Sequence, residues 1–151
     1  VRKLLLLSLI CLVSYQVVEA KKRSLPPSST ASQLKAKSLT GTYSNRNGEF
    51  KIQGLGVNRL HVRFDGSYPY KVNGEMTANT GTGDGMTTLK DNVAIFVPKE
   101  TQGCSISLTF VGRKLVAKQT GSDADCGFGH NVTADGTYIK RSNRPPKFDQ
   151  Q

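Results

Sequence analysis

The chain has no tryptophan, two histidines and three cysteines among its 151 residues. So few imidazoles and thiols leave little material for a zinc site. No Cys–His motif surrounds His61 or His130. Three further patterns are missing: His-Glu-x-x-His, Gly-x-Ser-x-Gly and Gly-x-x-x-x-Gly-Lys-Ser/Thr. They would have placed a catalytic zinc, an exposed serine nucleophile or a phosphate cradle. The expectation is therefore a protein that is not an enzyme and carries no cofactor. No run of about 12 residues repeats its apolar positions at helical spacing, which argues against helices. No apolar run reaches the roughly 18 residues of a membrane-spanning helix, so no transmembrane segment is expected.

The apolar stretch that does exist is short and lies at the start. Arg2 and Lys3 precede Leu4 to Val13, which is interrupted only by Ser8. Val18-Glu19-Ala20 then sets small residues at the −3 and −1 positions of a cleavage site. Residues 1–20 read as a secretory signal peptide, and the protein as secreted and extracellular. Cys11 lies within that segment, leaving Cys104 and Cys126. An even pair in an oxidising compartment reads as one disulfide. Closing a loop of about 22 residues contributes roughly 3 kcal/mol in the chain-entropy model. Asn131-Val132-Thr133 is an N-glycosylation acceptor, which makes the protein a candidate glycoprotein.

Acidic residues are absent from residues 21–38, which hold Lys21, Lys22, Arg23, Lys35 and Lys37. Near the other end Lys140, Arg141, Arg144 and Lys147 face only Asp149. Residues 39–138 balance ten basic against nine acidic side chains. The segment 21–38, with Pro26, Pro27 and a Ser/Thr run, reads as a disordered tail. Residues 141–151, with Pro145-Pro146, read as an extended second tail. Lys21, Lys22, Arg23, Lys140, Arg141, Arg144 and Lys147 are the candidate polyanion-binding residues. Their partners would be acidic extracellular polymers, acidic matrix proteins or anionic surfaces. Nucleic acid matches the charge but not an exported chain, and is set aside.

The stretch between the tails, residues 39–140, alternates as strands do and reads as a single all-β domain. Phe50 and Ile52 are separated by Lys51; Leu60, Val62 and Phe64 by His61 and Arg63; Ile106, Leu108 and Phe110 by Ser107 and Thr109. With Leu115 these are the expected core. Asn73-Gly74 marks a hairpin turn. Thr80 to Gly85, rich in Gly and Thr, reads as a flexible loop. Eight or nine short antiparallel strands follow, a meander that must close into a barrel or fold into a sandwich to hide its edges.

Asp123-Ala124-Asp125 opens like a calcium loop. Phe128 then occupies the obligatory glycine position and Ala134 that of the bidentate glutamate, which excludes an EF-hand. Gly127-Phe128-Gly129-His130 follows Cys126 directly. It reads either as a rigid loop offering Phe128 and His130 to a protein target, or as a plug in which Phe128 closes one barrel end. Cys126-Gly127-Phe128-Gly129, continued by Ala134-Asp135-Gly136-Thr137-Tyr138, resembles the ending of small exported β-proteins of the lysozyme-inhibitor type. Gly41-Thr42-Tyr43 resembles their opening strand. That resemblance implies an eight-stranded barrel and export. The Gly-x-Trp opening of a lipocalin-like carrier is missing. Two functional expectations result. The first is a secreted β-domain retained in an extracellular matrix, a mineralised one included, or on an acidic surface. The alternative is an inhibitor of a hydrolase such as lysozyme, acting through residues 126–130.

Overall fold

The computed structural model describes residues 36–148. The expected signal peptide, Lys21, Lys22, Arg23 and Lys35 lie outside the described residues. Eight strands follow a single 3-10 turn, Ala36–Leu39. They are β1 Gly41–Ser44, β2 Gly48–Gly54, β3 Arg59–Val72, β4 Glu75–Lys90, β5 Val93–Phe96, β6 Ser105–Val111, β7 Lys114–Thr120 and β8 Gly136–Ser142. Each pairs antiparallel with its neighbour in sequence, and β8 returns to β1, so the meander closes as a barrel. Closure pairs the edges that a sandwich would leave open.

Alternation puts one face of each strand inside. All nine residues expected in the core are buried, joined by Tyr43, Phe96, Val132 and Tyr138. The interior is filled by interlocking rings rather than left hollow. Phe50 lies 4.9 Å from Phe64 and 4.8 Å from Tyr138, centre to centre, and Phe64 lies 5.2 Å from Phe128. Cys104 and Cys126 are at bonding distance, 2.09 Å between sulfurs, and tie the start of β6 to the segment before β8.

Three boundaries differ from expectation. Thr80 to Gly85 is not a loop but the middle of β4. Its glycines face inward and leave room for bulky neighbours: a Cβ on Gly81 would stand 2.7 Å from Phe128 Cβ, and one on Gly83 3.1 Å from Pro98. Residues 36–38 belong to the folded domain rather than to a disordered tail. Ala36 and Leu39 are buried, and the Tyr43 hydroxyl donates to the Leu39 carbonyl at 3.0 Å. The last tail is not freely extended either. Strand β8 runs to Ser142, and the Phe148 ring stacks on His61 at 3.8 Å between ring centres.

Candidate polyanion-binding end

A closed meander sends alternate turns to opposite ends. One end gathers the β2–β3, β4–β5 and β6–β7 turns, the Ala36–Leu39 turn and the exit of β8. Main-chain bonds hold these pieces together: Leu89 N–H donates to Asn58 O at 2.7 Å, Phe110 N–H to Asn92 O at 2.9 Å and Lys140 N–H to Arg113 O at 2.9 Å. Every piece carries a cation. Lys37, Arg59, Lys90, Arg113, Lys114 and Arg141 are exposed here, with Arg144 and Lys147 just beyond β8. Asp91 is the one carboxylate at this end among the described residues.

Elsewhere on the barrel four cations meet carboxylates, while Arg46 and Lys71 are exposed. Lys51 and Arg63 reach Asp65 at 3.2 and 3.1 Å, Lys99 reaches Asp84 at 3.3 Å, and Lys118 reaches Asp135 at 3.3 Å. Burial acts to raise the Asp65 carboxyl, but the hydrogen bonds and charges of Lys51 and Arg63 outweigh it and hold the group below the usual aspartate value. The near-neutral count of residues 39–138 therefore conceals a polarity along the barrel axis.

Of the candidate polyanion-binding residues, Arg141, Arg144 and Lys147 are exposed at or just beyond this end. Lys140 is a correction. It is 7% exposed, its ammonium donates to Ser38 O at 2.8 Å, and it lies over the Tyr43 ring. Burial first, and the neighbouring Arg113 charge second, depress its pKa. Even-numbered side chains of β8 face inward, so Lys140 supports the fold and is closed to a polymer. Arg59, Lys90, Arg113 and Lys114 were missed in the sequence. They lie in or beside the β2–β3, β4–β5 and β6–β7 turns, which only the topology brings to one end.

The 121–131 segment behaves as a plug: Cys126 and Phe128 are buried, and the polar side chains around them stay at the surface. Phe128 is buried against Phe64 and Gly81, which corrects its presentation to a partner. Gly129 N–H donates to Thr80 O at 2.9 Å. His130 is exposed, 3.5 Å from Asp123. Asp123 accepts from the N–H groups of Asn131 and Ala124, and these bonds lower its pKa. Asp125 likewise accepts from the N–H and hydroxyl of Ser122. Both carboxylates thus close their own loop. Asn131 is exposed beside it. No helix among the described residues is long and apolar enough to cross a membrane.

Exposed cations on the loops of a closed end can neutralise an extended polyanion by charge alone. No protein-family model, curated protein or solved structure matches the chain.

Proposed function

We propose that this is a secreted, non-catalytic barrel held on an acidic extracellular polymer or matrix through its basic end. One observation carries the reading: the turns, the chain entry at Ala36 and the chain exit after Ser142 share that end, and each brings cations. Residues 21–35, with four further basic side chains, join the barrel at Ala36. The basic segments seen in the sequence thus attach where the barrel is itself basic. The Cys104–Cys126 pair accords with export to an oxidising compartment.

Such binding is electrostatic and collapses as salt shortens the screening length from about 10 Å at 0.1 M to about 3 Å at 1 M. The test compares two triple variants of equal charge loss on a heparin-like polymer. Lys114→Gln/Arg141→Gln/Arg144→Gln should lose most of the affinity at physiological salt. Lys71→Gln/Lys99→Gln/Lys118→Gln should retain it. Equal losses, or none, would remove the reading.

The inhibitor reading keeps one foothold: His130 is 81% exposed on a segment pinned by the disulfide and by Phe128. Its test is His130→Ala against a hydrolase, because Phe128→Ala would cost about 3–5 kcal/mol of stability and blur the outcome.

A further inference from the structure

Strands β3 and β4 run past the barrel as a two-stranded arm, residues 68–79, at the end opposite the basic one. Residues 71–78 are all exposed. The turn residues Asn73 and Gly74 both have positive φ, 52° and 88°, as a type I′ turn requires. Such a turn closes on a hydrogen-bonded pair, Val72 with Glu75. Alternation then bonds Tyr70 with Thr77 inside the arm, and turns the main-chain groups of the Lys71–Met76 and Pro69–Ala78 pairs outward. The two outer edges are not alike. The β3 edge has Pro69, which lacks an N–H, and Lys71, both devices that discourage strand addition. The β4 edge offers the N–H and C=O of Met76 and Ala78 without a proline.

We propose that this β4 edge pairs with the same edge of a second copy, antiparallel about a two-fold axis at Thr77. The edge is complementary to itself. Met76 comes opposite the second copy's Ala78 and Ala78 opposite its Met76, two apolar pairs joined by about four main-chain hydrogen bonds. Thr77 meets Thr77, a favourable cross-strand pair. Glu75 meets Asn79, so no like charges are opposed. Asn79 donates to His130 O at 2.7 Å, which sets the barrel-side limit of the free edge. A two-stranded ribbon is marginal alone, whereas the paired arms make a four-stranded sheet. The seam is short, so the dimer dissociates on dilution. Antiparallel pairing points the two basic ends away from each other. If the polymer reading holds, the dimer bridges two polymer chains; the dimer itself does not depend on that reading.

The test uses the full chain. Sedimentation equilibrium should show mass rising toward a dimer at high protein concentration. Thr77→Cys should cross-link to itself under mild oxidation at least tenfold faster than Lys71→Cys on the blunted edge. Ala78→Pro removes an outward N–H and spares the arm's own pairing. It should abolish the concentration dependence, and combined with Thr77→Cys it should slow cross-linking to the Lys71→Cys rate, with the melting transition unchanged. A monomer at every concentration with equal cross-linking rates, or a dimer that survives Ala78→Pro, would overturn the proposal. Loss of polymer binding in the basic-end variants would leave this result untouched.

Discussion

An ammonium drawn into a barrel wall needs an acceptor, and Lys140 takes the Ser38 carbonyl at 2.8 Å. Replacing it by Met removes that bond from the buried ammonium's site. The expected loss is about 1–3 kcal/mol, read from chemical denaturation, with polymer affinity little changed. Two tyrosines set the alkaline limit. Tyr43 and Tyr138 are buried and donate to Leu39 O and Ala134 O, each at 3.0 Å. Burial pushes both to about 12, against an ordinary value of 10.0, with Arg113 opposing at Tyr43 and the bond with Asn45 opposing at Tyr138. Their folded pKa is raised, so their contribution is complete below the unfolded value near 10 and is lost as pH climbs through about 12. Melts followed across that window should fall as tyrosinate absorbance appears; flat stability would contradict the burial argument. The side chains of Phe50, Ile52, Leu60, Val62 and Phe64 were legible in the sequence because large apolar groups alternate there with polar ones. Lys140 was not, because its charge masks an aliphatic stem that can be buried when the head finds a carbonyl.

Among the elements, β4 was hardest to read. Its inward face at the barrel end is Gly81, Gly83 and Gly85, and glycine signals a turn more often than a strand. The large partners that require those glycines, Phe128 and Pro98, are remote in sequence and close only in the fold. Gly81→Val should therefore crowd Phe128 and cost about 1–3 kcal/mol, measured as a lowered denaturation midpoint. The hairpin turn at Asn73-Gly74 was legible because the type I′ requirement for positive φ is carried by those two residues alone. The disulfide was also legible, from the pair Cys104 and Cys126 that remains once residues 1–20 are read as a signal peptide. Replacing Cys104 and Cys126 by Ser should cost roughly 3 kcal/mol, seen as earlier thermal unfolding.

At the scale of the molecule, closure turns a neutral count into a polarity. Ten basic and nine acidic side chains in residues 39–138 carry no direction in the sequence. Their direction comes from topology, which brings Arg59, Lys90, Arg113 and Lys114 to one end and leaves Lys51, Arg63, Lys99 and Lys118 beside carboxylates elsewhere. Cations already facing carboxylates have less field to offer a polymer than a cluster with one opposing charge. The most direct measurement is amide chemical-shift mapping of the full chain during titration with a short sulfated oligosaccharide at low salt. The polyanion reading predicts shifts concentrated at 36–40, 55–59, 90–92, 111–114 and 141–147, disappearing at 1 M salt. Shifts centred on 121–131, or spread evenly over the barrel, would contradict it.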